Sequence, residues 1–159
     1  MKHLKRIGLT AALLMALVIG FGVAPASAGL LPGMPKCNHT DLVGSYTTGG
    51  GGFAELDLYW DATNHTNCVK LQHKGAAYDH AAPTSVYIFT CVTDTAGQDC
   101  VTLPSNPPYY GSDTGNYPIY AGYASVKAAG HCIYAVGYLT WAGKPYKVES
   151  APGAKSSHC

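Results

Sequence analysis

Cys37, Cys68, Cys91, Cys100, Cys132 and Cys159 have the widest chemical repertoire in this chain. A cysteine can act as a nucleophile, bind a soft metal or close a disulfide. The count is even and no Cys-x-x-Cys pair occurs, so three internal disulfides are the simplest expectation. A catalytic thiol would leave an odd cysteine over.

The other reactive residue types do not assemble into a set. Asp113-Thr114-Gly115 matches the triplet that carries the aspartate of aspartic proteases. Their chemistry needs two carboxylates sharing one proton, and only one copy is present. Its setting, Ser112 to Asn116, is built of turn formers and predicts a β-turn. Asp113 with Asn116 also falls short of a Ca²⁺ site, having one carboxylate. The histidines at 39, 65, 73, 80, 131 and 158 belong to no His-Glu-x-x-His pattern, and Asp79-His80 and His39-x-Asp41 read as solvated loops. No Gly-x-Ser-x-Gly elbow occurs. Gly49 to Gly52 lack the Gly-Lys-Ser/Thr of a phosphate loop and read as a flexible hinge. The expectation is a non-enzymatic protein with no metal and no cofactor. Asn38-His39-Thr40 and Asn64-His65-Thr66 are formal N-glycosylation sequons, meaningful only in a host that glycosylates them.

The elements that must position these residues read as strands. Ala54, Leu56, Leu58 and Trp60 alternate with Glu55, Asp57, Tyr59 and Asp61, a period of two with one apolar face. After the turn cluster 62–67 the alternation resumes at 68–73, predicting a hairpin. Further strands are predicted at 86–92, 100–103, 117–120, 123–127, 132–139 and 146–149, each bounded by Gly, Pro or turn residues. No sustained helical period follows residue 28. The predicted fold is all-β, a small antiparallel β-sandwich or barrel with three disulfides. Residues 29–52 read as an irregular Gly/Pro-rich lead-in and 53–159 as a single β domain. Cys91 and Cys100 flank one turn and are expected to pair. Cys37 and Cys159 bracket the domain, whose ends are expected to lie close. That leaves Cys68 with Cys132, one of fifteen arrangements open to six cysteines.

Lys2, Lys5 and Arg6, the apolar run 7–23 and Pro25-Ala26-Ser27-Ala28 have the form of an export signal cut after Ala28. Beyond it lie seven Lys, no Arg and nine acids, a formal charge of −2. Without Arg or a basic excess, nucleic acid is a poor partner. No second apolar run reaches the ~20 residues a membrane span needs. The expectation is a freely secreted protein with no transmembrane segment after cleavage. Twelve tyrosines dominate its aromatic content. Tyr suits half-exposed strand faces, since its ring packs while its hydroxyl stays wet.

Asn67-Cys68-Val69 follows a Tyr-Trp strand, Ser112-Asp113-Thr114-Gly115-Asn116-Tyr117 precedes Tyr120-Ala121-Gly122, and Gly130-His131-Cys132-Ile133 opens a later strand. In this order the segments resemble the spore-associated protein A family of secreted actinobacterial proteins, over roughly residues 54–139. The resemblance implies a small secreted protein of spores or aerial surfaces, with no established enzymatic activity and so no catalytic residue to carry over. It places Cys68 and Cys132 on the family's cysteine positions. Cys37, Cys91, Cys100, Cys159 and residues 140–159 have no counterpart there.

The leading expectation is a structural or surface-associated extracellular protein whose partners are cell-wall or spore-surface components. The alternatives are a module that stacks a glycan or another envelope component on Tyr109, Tyr110 and Trp141, and a protease inhibitor presenting Pro104 to Pro108. Trp60, also an aromatic candidate, lies on the apolar face of its strand and is expected to serve in core or edge packing.

Overall fold

A computed structural model describes residues 31–38 and 41–159. The expected signal segment, 1–28, lies outside the described residues. Eight strands follow in order: β1 (Asp41–Tyr46), β2 (Ala54–Asp61), β3 (Thr66–His73), β4 (Ala82–Thr90), β5 (Tyr110–Tyr117), β6 (Tyr120–Val126), β7 (Ile133–Trp141) and β8 (Lys144–Glu149). They form two four-stranded sheets, β1-β2-β3-β6 and β5-β4-β7-β8, with every neighbouring pair antiparallel. The sheets pack face to face as an open β-sandwich, so the all-β expectation holds.

Period-two patterning explains the core. Leu56 and Leu58 of β2 face Leu71 and Val69 of β3 in register. On the other sheet Val86 and Ile88 of β4 lie opposite Gly137 and Ala135 of β7. All four large side chains of the first sheet, with Val86 and Ile88, are wholly buried. The sheets approach closely at Gly137, where a β-carbon would lie 2.5 Å from Leu71 Cδ1.

Several expectations need correction. The lead-in 29–52 is not irregular throughout, because it contains β1 at the edge of the first sheet. The predicted turn at 112–116 is the middle of β5, paired to β4 from Tyr110 through Tyr117. The chain turns instead at residues 118–119, inside the predicted strand 117–120, and there passes from one sheet to the other. The return strand expected at 100–103 is reduced to one bridge between Cys91 and Thr102. Nor is the glycine run a loose hinge. A β-carbon on Gly49 would sit 2.1 Å from the Lys147 carbonyl oxygen, and Gly49 adopts a φ of +86°. Only glycine allows the β1–β2 loop to press on the β8 backbone in that conformation.

The bridges are Cys37–Cys68, Cys91–Cys100 and Cys132–Cys159. Cys91–Cys100 agrees with expectation. The pairs Cys68–Cys132 and Cys37–Cys159 are overturned, for a geometric reason. Cys68 leaves β3 on the outer side of the first sheet, in phase with Lys70. Cys132 precedes β7 in phase with Tyr134, and clusters with Cys91 on the outer side of the second sheet. Side chains leaving opposite faces of a sandwich do not meet. Cys68 instead takes Cys37 from the segment 31–38, which crosses the first sheet with Ser125 Oγ donating to the Pro35 carbonyl at 2.6 Å. Cys132 takes Cys159 from a tail that pairs Ser157 with Ile133. Three disulfides indicate an oxidising environment. Among the described residues no helix is long and apolar enough to cross a membrane.

Candidate functional site

Alternation along the strands, with a register shift in β6 that leaves Tyr123 unpaired between Gly122 and Ala124, sends two sets of tyrosines outward, one from each sheet. On the first sheet the set closes around a cation. Lys70 Nζ lies 5.6 Å from the ring centroid of Tyr59 and 5.9 Å from those of Tyr120 and Tyr123. It also lies 3.2 Å from Asp57 Oδ2. Ser45 Oγ donates to Asp57 Oδ1 at 2.9 Å, and the Tyr59 hydroxyl approaches Oδ2 at 3.4 Å. Burial pulls the Lys70 ammonium down, but hydrogen bonds with Tyr59 and Asp57 outweigh it and hold the group above its ordinary value. This is an aromatic cage of the kind that recognises ammonium ligands, occupied by the chain's own lysine.

On the second sheet the rings remain open. Residues on the outward phase of β4, β5 and β7 form rows across the strands: Tyr110, Phe89 and Tyr134 in one, Ser112, Tyr87 and Val136 in the next, Thr114, Ser85 and Tyr138 in the third. Phe89 stacks on Tyr134 at 6.2 Å and tilts against Tyr110 at 5.2 Å, and Tyr87 meets Tyr138 edge-on at 6.1 Å. Beneath them Cys91, Cys132, Tyr134 and Val136 make a second apolar cluster. Tyr87, Phe89, Ser105, Tyr110, Val136 and Tyr138 line a shallow recess of about 580 Å³. Its floor is buried and apolar, with Val136 only 4% exposed, while Tyr138 at the margin is 41% exposed.

The β8 margin carries an ion pair. Lys147 Nζ lies 2.8 Å from Glu149 Oε1, which also accepts the Tyr134 hydroxyl. Burial would raise the Glu149 carboxyl, but hydrogen bonds from Lys147 and Tyr134 carry it below its ordinary value. The Tyr134 phenol is driven far up by burial and by the adjacent Glu149.

No family model, curated protein or solved structure matches the chain.

The sequence-predicted stacking residues do not come together. Tyr110 belongs to the terrace. Tyr109, 39% exposed, faces a separate recess of about 430 Å³ with Leu103, Pro108 and Lys127. Trp141 lies on the inward phase at the end of β7, 5.6 Å from the His80 ring and 6.5 Å from Phe53. Of the two packing roles expected for Trp60, the edge is the one it takes. It is half-buried near the end of β2, paired with Asp41 and Asn67, 6.2 Å from His65, and lines a recess of about 340 Å³ with Val43, His131 and His158. His158 there is engaged by the Tyr46 hydroxyl at 2.6 Å, and burial lowers the imidazole below its ordinary value. Tyr87, Phe89, Tyr134 and Tyr138 were missed as site residues. Their signal was strand phase, since each occupies the positions alternating with Val86 and Ile88 or with Ile133, Ala135 and Leu139.

The lone carboxylate of the Asp-Thr-Gly triplet is buried and structural. Asp113 accepts the Tyr117 hydroxyl and, at 2.7 Å, the Gly122 backbone N–H. It fastens β5 to β6 where the chain changes sheets. Burial and the contact with Asp113 push the Tyr117 phenol far up.

Proposed function

We infer that this chain is a secreted, non-enzymatic protein of the cell or spore surface that works by contact through the outer face of the β5-β4-β7-β8 sheet. The open aromatic terrace of Tyr87, Phe89, Tyr110 and Tyr138 carries the reading. The rings are half-buried at Tyr87, Phe89 and Tyr110 and exposed at Tyr138, and apolar surface left accessible beside polar groups marks a contact site. Three further observations support it. The export-signal pattern over 1–28 and the complete pairing of the cysteines agree with use outside the reducing cytosol. Asp113, the residue with the strongest claim to catalysis, spends both carboxylate oxygens on structure. The resemblance to the spore-associated protein A family points to the same location.

Sedimentation of the bridged protein with isolated bacterial envelopes tests the reading. The natural chain is expected in the pellet, and a Tyr87→Ala/Tyr138→Ala variant of unchanged near-ultraviolet spectrum in the supernatant. Equal partition of the two proteins would overturn it.

A further inference from the structure

We propose that the terrace on the second sheet binds a neutral polysaccharide, laid across β5, β4 and β7 with its sugar faces on the rings of Tyr110, Phe89, Tyr87 and Tyr138. The inference rests on the contact surface inferred above and names its ligand. Three properties of the face select this chemistry.

The first is ring placement. Tyr110, Phe89 and Tyr134 stand opposite one another on three adjacent strands, so the row spans two strand spacings, about 10 Å. Tyr87 and Tyr138 extend the rings diagonally into the next two rows. The rings stand at angles to one another, Tyr87 to Tyr138 at 71° and Phe89 to Tyr110 at 42°, so the set offers successive apolar contacts along one extended ligand. It is too shallow to enclose a compact one. The second property is the distribution of hydroxyls. The Tyr87, Tyr110 and Tyr138 hydroxyls make no hydrogen bond among the described residues, and neither do those of Ser85, Ser112 and Thr114. They stand between and beside the rings, ready to donate and accept. A hydrocarbon ligand would strand these groups without partners on binding, which costs affinity. A ligand with hydroxyls around its edge satisfies them. The third is charge. Lys147 and Glu149 of β8, the charged residues at outward positions of this sheet, neutralise each other at 2.8 Å. The face therefore has nothing with which to repay the desolvation of an anionic or cationic ligand.

A molecule with flat C–H faces, a hydroxylated edge and no charge is a pyranose chain. Equatorial hydroxyls leave both ring faces free for stacking, whereas an axial hydroxyl lifts one face off the support. The terrace is thus expected to prefer gluco- or xylo-configured chains.

Affinity electrophoresis through gels containing soluble β-glucan, xylan or polygalacturonate tests the proposal. The natural protein is expected to be retarded by β-glucan or xylan, at low and high salt alike, and to pass polygalacturonate freely. Tyr87→Ala should weaken the interaction by about tenfold, the usual loss at a central aromatic contact. Tyr87→Phe, which keeps the ring, should weaken it less. Thermal midpoints of both variants verify that the fold is intact. Passage through both neutral gels, retardation unaltered in Tyr87→Ala, or retardation only by polygalacturonate would each overturn the proposal. Periodate-oxidised envelopes separate this failure from that of the contact surface. Retention that depends on Tyr87 yet survives oxidation would keep the surface and discard the sugar.

Discussion

The two outer faces of the sandwich are built from similar residues and finish in opposite states. Each carries a group of tyrosines on half-exposed strand positions. On the first sheet the rings enclose Lys70, which neutralises Asp57, and the segment 31–38 is bridged across the same sheet by Cys37–Cys68. On the second sheet the rings stand over an apolar floor and the ion pair sits at the margin. Tyrosine content alone therefore does not mark a binding surface. What distinguishes the faces is whether the chain supplies its own occupant. The first face should accordingly report on stability and the second on binding.

Breaking the Cys37–Cys68 bridge is the strongest test of that division. The cysteines lie 31 residues apart, and on the chain-entropy model the bridge contributes about 3.7 kcal/mol. Cys37→Ser/Cys68→Ser should lower the thermal midpoint by roughly 10–15 °C while leaving envelope retention intact at temperatures where the variant is folded. Loss of retention in the folded variant would merge the two faces into one functional surface.

Lys70→Met is the next largest. The side chain of Lys70 is 13% exposed and that of Asp57 is 7% exposed. Removing the ammonium leaves the carboxylate largely desolvated, supported by Ser45 and Tyr59. The expected loss is about 2 kcal/mol by chemical denaturation. A cost below about 0.5 kcal/mol would mean that the cage is solvated like an ordinary surface pair.

Acid titration makes the smallest and most graded comparison. Burial holds His73 and His158 below the ordinary imidazole value of 6.5. Imidazoles depressed in the folded state contribute stability that is complete above pH 6.5 and is lost as the pH falls toward their folded values, at no more than about 1.4 kcal/mol per pH unit each. Glu149, also depressed, contributes stability present above its ordinary 4.5 and lost as the pH falls through its lower folded value. Thermal midpoints should therefore begin to decline near pH 6.5 through these two histidines, and the second face should join only below 4.5. His73→Gln should remove part of the first phase. A profile unchanged by that substitution would refute the assignment to His73.

The sequence announced some of this architecture clearly. β2 was legible to the residue, because Ala54 to Asp61 alternates without interruption. Cys91–Cys100 was legible because both cysteines flank one short connection. β5 was hidden, since Gly111 to Asn116 has the composition of a turn and is extended only because β4 pairs with it along its length. Tertiary pairing there overrides local preference. β1 was hidden for a related reason: Leu42 and Val43 are exposed at an edge and show no alternation of burial. The two long-range bridges depended on which face each cysteine leaves, and spacing alone does not specify a face. The same missing phase dispersed Tyr109, Tyr110 and Trp141 and concealed Tyr87, Phe89, Tyr134 and Tyr138. Period-two arithmetic applied to β4 and β7 would have grouped the latter four.

The seam between Gly49 and the Lys147 carbonyl has a colloidal consequence. A sandwich that is not sealed into a barrel ends in strands with unsatisfied amides, and these invite neighbouring molecules to add on. Here β8 bears Pro145 and two lysines, and the glycine loop lies over part of its length. The protein can thus remain dispersed at high concentration instead of polymerising into fibres through that border.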